Sequence, residues 1–183
     1  MKKRVLTKEK IVEAAAHLCE DVGLFSLNFK VLADYLGVRS QSIYNHLQNI
    51  NELKLELTYY YLRELENTLY KALIGKSGDE AIIEFAYVYR NHALKHPELY
   101  QTMTILPQLI DVKTLHKGTG MTSILNQILK SYQLTEDQLL DKNRSLRSQV
   151  HGFVSLELAG YFQSNREKNE SFDAMIQDYL KAL

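Results

Sequence analysis

The sequence contains no tryptophan, a single cysteine and only two prolines among 183 residues, and its formal charge sums to zero. Each shortage excludes something. Cys19, being alone, can form neither an internal disulfide nor a multi-cysteine zinc site; it shares a helical side with Ala15 and Val22 and reads as a packed thiol without a redox role. Two prolines in such a length favour long helices. No apolar run approaches the roughly 20 residues that a membrane-spanning helix needs, and MKKRVLTKEK lacks the apolar stretch of a signal peptide. The expected location is therefore the cytoplasm, with no membrane partner. A net charge of zero argues against indiscriminate coating of nucleic acid. What remains is ordinary for a globular chain with a real core: 45% hydrophobic and 24% charged residues.

The charge is nevertheless unevenly placed. Through Ile50 there are seven basic and five acidic side chains, a net of +2, and the rest of the chain carries −2. Lys2, Lys3, Arg4, Lys8 and Lys10 crowd the extreme N-terminus. They read either as an arm that reaches phosphates or as a solvated, frayed end.

Periodicity predicts an all-α chain. Thr7 suits an N-cap, and Ile11, Ala14, Ala15, Leu18 and Val22 follow helical spacing up to Gly23. Asn28 can cap a second helix with Val31, Leu32, Tyr35 and Leu36 as its buried face. Gly37 permits a tight turn, after which Arg39 or Ser40 opens a third helix ending near Leu47. Three short helices with a glycine turn between the last two make a helix-turn-helix unit. In that unit Val38, Ile43 and Leu47 would anchor the third helix while its polar surplus enters a major groove. Gln41 and Asn45 lie on one face with Ser42 and His46 in the adjacent row. Amides suit adenine edges, Arg39 suits guanine, and Ser40, Ser42 or Tyr44 suit phosphates. The plainer alternative is a solvated surface helix.

From Asn51 to about Ile74 one helix carries Leu53, Leu57, Tyr60 or Tyr61, Leu65, Leu69 and Leu73 as its stripe; at 1.5 Å per residue it spans about 36 Å. Ser77 and Glu80 resemble a capping box for a helix to about Lys95. Pro97 begins another that Pro107 closes; a stretch from about Val112 to Tyr132 follows, loosened at Gly118 and Gly120. Thr135 and Gln138 form a second capping box, opening a helix to about Ser164, and a last helix runs from Ser171 or Phe172 to Leu180. Ser148, Gly152, Ser155 and Ala159 follow one another at helical spacing, so a second helix can approach closely there, and Gly152 and Gly160 read as packing glycines.

The ordered set IVEAA from Ile11, Gly23, Phe25, Asn28, Leu32-Ala33, Gly37-Val38, Ile43-Tyr44, His46-Leu47 and Glu52-Leu53 resembles the DNA-binding domain of the TetR family of bacterial transcriptional regulators. Asn28 stands where the family usually has threonine, and Ile50 where lysine is common, a departure that bears on the affinity of the head more than on its fold. The resemblance implies a helix-turn-helix DNA-binding domain at residues 1–50 and a helical effector-binding and dimerisation domain at residues 51–183, joined by the long helix. It implies a DNA surface of Asn28, Lys30, Arg39, Ser40, Gln41, Ser42, Tyr44, Asn45 and His46. VHGFVSLELAGYF, Val150 to Phe162, and HPELY, His96 to Tyr100, are similar to the C-terminal domain of a TetR subgroup named WHG for its tryptophan, histidine and glycine; Arg147 stands where its tryptophan would.

By the same resemblance the last two long helices pair with those of a second copy, through the face of Ser148, Gly152, Ser155 and Ala159. The partner is then double-stranded DNA with an inverted repeat, because two heads about 34 Å apart read successive major grooves. A small, largely apolar effector is implied, near Tyr61, Phe85, Tyr89, His92, Tyr100, Met103 and Met121. No metal or cofactor is expected: His92 and His96 are four apart with only Glu98 nearby, and histidines there complement a helix dipole. His151 reads as a hydrogen-bonded core residue. Neither an activated nucleophile nor a paired-carboxylate motif points to an enzyme. The expected function is a ligand-responsive repressor; a regulator controlled by a protein partner and a helical enzyme are the alternatives.

Overall fold

Thr7 accepts a hydrogen bond from Lys10 N through its side chain and opens α1 (Lys8–Val22), and Asn28 does the same for α2 (Phe29–Leu36), accepting from Lys30 N and Val31 N at 3.0 and 3.1 Å. The computed structural model describes residues 6–109 and 120–183, the side chains of residues 106–109 excepted. The expected stretch before Gly120, with Gly118, lies outside them. After α2, Gly37 takes a left-handed conformation at φ 66°, which costs glycine nothing, and Val38 N closes back onto Ala33 O at 3.0 Å. The chain thereby turns sharply into α3 (Ser40–Tyr44). That helix ends three residues before the expected Leu47, although Leu47 N still bonds Ile43 O at 3.0 Å.

The long helix is α4 (Ile50–Ala72), and its stripe resolves in favour of Tyr61: Leu53, Leu57, Tyr61, Leu65 and Leu69 are all buried. It is followed by α5 (Gly78–Lys95), α6 (Pro97–Leu109), α7 (Gly120–Leu129), α8 (Glu136–Leu158) and α9 (Lys168–Lys181). Among the described residues every regular element is a helix, and none is long and apolar enough to cross a membrane.

Four expectations need correction. The buried face of α2 is Phe29, Leu32 and Ala33; Tyr35 is exposed, because the helix turns about a quarter of a turn from the assumed phase. α6 continues past Pro107 to Leu109, since a proline late in a helix removes one hydrogen bond without forbidding a further turn. Glu80, read as the acid of a capping box, is held by Lys76 Nζ at 2.6 Å. Finally, α8 stops at Leu158: Gly160 adopts φ 76° and Tyr161 N bonds Leu156 O at 3.0 Å, so this glycine is a helix stop and does not serve packing.

The described residues form two compact units. The first comprises those of Met1–Glu64 and His96–Lys117, hence α1 to α3, the first part of α4, and α6. In it α1 and α6 are tied reciprocally: Glu20 accepts from Glu98 N and Leu99 N at 3.2 and 3.0 Å, while Glu98 accepts from Leu24 N at 2.8 Å. The second unit, Leu65–Lys95 and Gly118–Leu183, holds the end of α4 with α5, α7, α8 and α9. Thr135 and Gln138 form the expected capping box at the start of α8, with bonds of 3.3 and 2.9 Å. The interior of this unit contains a full ion pair. Arg90 on α5 donates to both carboxylate oxygens of Glu157 on α8, at 2.7 and 2.9 Å, and to Asn169 on α9 at 2.7 Å.

Candidate functional site

The third helix of the first unit is anchored from below and polar above. Ile43 and Leu47 are fully sealed, at 0% and 1% exposure, and Val38 is half-buried. Arg39, Gln41, Tyr44 and Asn45 are exposed, whereas Ser40, Ser42 and His46 are partly so. One helical turn thus separates two faces: the third helix packs against α2, and Arg39, Gln41, Tyr44 and Asn45 are turned outward. Tyr44 leans edge-on against Phe29, ring centres 4.9 Å apart, and this contact fixes its ring while leaving it 52% exposed. Lys30 is exposed on α2. Asn28 is also exposed, but its carboxamide is engaged locally, the oxygen capping α2 and the nitrogen donating to Ser26 O at 3.1 Å.

Two features around this helix escaped the sequence reading. Tyr35, assigned to the core, joins the exposed surface of α2 at 54% exposure. Asn49 caps α4 by accepting from Glu52 N at 2.9 Å, and Glu52 in turn accepts from Gln48 N at 2.7 Å. The Asn-x-x-Glu spacing was a capping-box signal that could have been found. Glu52 and Glu56 also hold Lys8 Nζ at 2.8 and 2.7 Å, which joins α1 to α4. Lys8 therefore sits within α1 and is not part of a free basic arm. Its hydrogen bonds to Glu52 and Glu56 raise its pKa, and the Lys8 ammonium lowers that of Glu52.

The residues assigned to an effector fall into two sets. Tyr61 and Tyr100 are buried in the first unit with rings 6.2 Å apart, edge to face, and Met103 is half-buried there. Burial drives the Tyr61 phenol far above its usual pKa. Phe85, Tyr89 and Met121 are buried in the second unit, and His92 is half-buried. There Tyr89 OH lies 2.9 Å from Nδ1 of the half-buried His151, and burial lowers the pKa of His151, favouring the neutral ring. Two open clefts have other linings. One of about 480 Å³ lies along Lys8, Glu13, Tyr59, Tyr60, Arg63 and Glu64. The other, of about 440 Å³, lies beside Arg90, Glu157 and residues 164–169.

On α8 Ser148 is exposed and Gly152 and Ser155 are half-buried, and Ala159, its C-cap, is exposed. A Cβ placed on Gly152 would meet nothing within 4 Å, so no neighbour in this chain requires a glycine there. Leu140 and Leu156 are 47% and 44% exposed on the same helix.

A family model described as the tetracyclin repressor-like C-terminal domain matches residues 82–179. The chain is 30% identical over 156 residues to the uncharacterized HTH-type transcriptional regulator Rv0681 of Mycobacterium tuberculosis, covering 85% of this chain and 72% of that one. It is 25% identical over 179 residues to the uncharacterized HTH-type transcriptional regulator YobS of Bacillus subtilis, covering 97% and 93%. A crystal structure of a singly substituted TetR from Acinetobacter baumannii in complex with minocycline shares the fold, with a TM-score of 0.72, 19% identity, and coverage of 97% and 96%. The helix-turn-helix head, the family match over residues 82–179 and the likeness to Rv0681 lead to one conclusion: the chain belongs to the TetR family of DNA-binding transcriptional regulators.

Proposed function

We propose that the protein is a homodimeric repressor, working in the cytoplasm, that binds an inverted-repeat operator and leaves it when a small effector binds. The observation that carries the reading is the split of the third helix, with Ile43 and Leu47 buried and Gln41, Tyr44 and Asn45 exposed. Gln41 and Asn45 read base edges. Arg39 takes a guanine edge, and Lys30, Ser40, Ser42, Tyr44 and His46 hold phosphates with Asn28 at the edge of the surface. One short helix covers only a few base pairs, so specificity requires a second head. The second copy docks on the face of Ser148, Gly152, Ser155 and Ala159. Residues 1–50 act as the reading domain and residues 51–183 as the effector and dimer domain. Phe85, Tyr89, His92 and Met121 are the effector residues of the second unit, and Tyr61, Tyr100 and Met103 are those of the first. An effector that prefers one arrangement of these helices shifts the population of heads spaced for the operator. The minocycline held by the Acinetobacter protein supports an effector of small-molecule size.

The test is a footprint and gel-shift titration on DNA upstream of the protein's own and adjacent genes. Gln41→Ala or Asn45→Ala relaxes preference at single base pairs, by about 1–3 kcal/mol each. Tyr44→Phe or Lys30→Ala weakens binding on all sequences alike and flattens its salt dependence. Equal weakening on every sequence by all four changes would overturn the assigned roles.

A further inference from the structure

Arg147 on α8 carries a permanent positive charge on the inward side of the second unit. Lys8, Lys76, Arg90, Arg166 and Lys181 are each ion-paired, and Arg147 has no carboxylate partner among the described residues. Its one hydrogen bond is from Nη1 to the hydroxyl of Thr122 on α7, at 2.9 Å, while Nε is sealed from solvent with no partner. One turn earlier, Asn143 is 2% exposed and donates to Thr122 O at 3.1 Å and to Asn126 Oδ1 at 2.6 Å. The Thr122 carbonyl can only accept, which fixes the orientation of the Asn143 amide and leaves its Oδ1 as a second buried atom without a partner.

Two side chains thus converge on the same residue of α7, one with an unused donor and an unbalanced charge, the other with an unused acceptor. Buried polar atoms are paired in the great majority of native structures, and an unbalanced, partly buried cation is costly. Arg90, on α5 of the same unit, shows how this interior treats a cation it uses for stability, with two carboxylate contacts and an amide. Arg147 is treated differently. One turn further along α8, His151 is bonded to Tyr89, one of the predicted effector residues, so the unsatisfied pair lies on the same helix face as that region.

We propose that Arg147 and Asn143 receive the polar head of the effector, and that this head is an oxyanion with an adjacent hydrogen-bond donor, of the 2-hydroxycarboxylate type, on an apolar tail. The carboxylate accepts from Arg147 Nε and the neighbouring hydroxyl donates to Asn143 Oδ1. The inference rests on the effector reading above.

The probes are 2-hydroxyhexanoate, 2-hydroxyoctanoate and 2-hydroxydecanoate, with octanoate, octanamide and octylamine as controls, added to the full-length protein. Thermal unfolding and release of operator DNA are the readouts. The 2-hydroxycarboxylates raise the midpoint and release DNA, octanoate acts more weakly, and the amide and amine are inert. Arg147→Met lowers the affinity for the 2-hydroxycarboxylates roughly tenfold or more, as loss of a charge-assisted hydrogen bond requires, and Arg147→Lys restores part of it. Without any probe, Arg147→Met unfolds at or above the wild-type temperature, because it removes a charge that the free protein does not balance. The proposal is overturned if none of the carboxylates stabilises the wild type, if octylamine acts like octanoate, if Arg147→Met unfolds well below the wild type, or if that change alters dimer dissociation, which would assign the charge to a partner subunit. Operator binding in the absence of probe tests the regulator reading separately, since it survives every one of these failures.

Discussion

Replacing Glu157 by glutamine changes almost no volume and removes one charge, and the structure sets a large cost for it. Arg90 and Glu157 have side chains only 4% and 7% exposed. Both carboxylate oxygens are occupied, Oε2 by Nε at 2.7 Å and Oε1 by Nη2 at 2.9 Å. A glutamine offers one acceptor and one donor to two donors, so one hydrogen bond is lost and an N–H faces an N–H. The guanidinium remains, 4.9 Å from the ring centre of Phe172 and 5.6 Å from that of Phe153, and those faces replace only a fraction of a carboxylate's attraction. Leaving a buried charge without its partner costs about 3–5 kcal/mol. In a chain of this size each kcal/mol shifts the unfolding midpoint by about 2–4 °C, so the expected fall is about 6–20 °C.

Arg90→Met should cost a similar amount by stranding the carboxylate, although methionine refills the space between the two rings. The double change Arg90→Met with Glu157→Leu should return to within about 1–2 kcal/mol of the parent, since a buried ion pair is worth little more than a well-packed apolar replacement. Far-UV circular dichroism against temperature and urea, at one fixed protein concentration, compares the parent, Arg90→Met, Glu157→Leu and the double variant, the four corners of the cycle, with Glu157→Gln measured beside them. Asp178→Ala is the control: its pair with Lys181 is 75% exposed on both sides and should be worth less than about 1 kcal/mol. If Glu157→Gln costs no more than Asp178→Ala, or if the two single costs simply add in the double variant, the guanidinium is solvated and the reasoning fails.

Two further outcomes are expected. Burial pushes the Cys19 thiol up to about 12 from an ordinary value near 9, with smaller contributions from Glu20 and Glu98, so the folded state holds its proton where the unfolded state would release it. Stability should be flat in this group below pH 9 and fall as pH rises from about 9 towards 12, a fall that Cys19→Ala reduces, and a thiol reagent at neutral pH should label the chain only on unfolding. Gly152→Ala should stabilise the isolated chain by up to about 1 kcal/mol, because a methyl there meets nothing within 4 Å, yet raise the dimer dissociation constant about tenfold if a second α8 approaches that face. Sedimentation across a concentration series separates the two, and a more stable chain with unchanged dissociation would remove this face from the interface.

The local elements of the fold were legible because their signals are complete within a few residues. The Thr7 and Asn28 caps, the Gly37 turn and the capping box of Thr135 and Gln138 each pair groups only a few positions apart. The pairings that hold the units together were not legible. Arg90 finds Glu157 at a separation of 67 residues and Lys8 finds Glu52 at 44. Any of the 22 acidic residues was an equal candidate until the helices were placed. Phase errors had a similar origin: α2 has apolar residues on more than half its circumference, so periodicity could not choose between Tyr35 and Phe29 for the interior.

The same contrast separates the two halves of the candidate site. The third helix and its flanks stand out because they have too few apolar residues to be buried, and of those few Ile43 and Leu47 are the ones sealed from solvent. The residues proposed to meet an effector had no such signature, since Phe85, Tyr89 and Met121 must be buried whether they line a cavity or fill a core. What marks the second unit is the opposite kind of feature, a cation and an amide whose bonding is incomplete. The glycines of α8 and its end follow the same logic. Gly152 and Gly160 look alike in sequence, but Gly160 is required by a left-handed backbone, whereas Gly152 lies in ordinary helix beside open space. Gly152 costs its helix about 1 kcal/mol and relieves no contact within its own chain, so the proposed approach of a second α8 is the reading that would give it a use, and the Gly152→Ala measurement decides it.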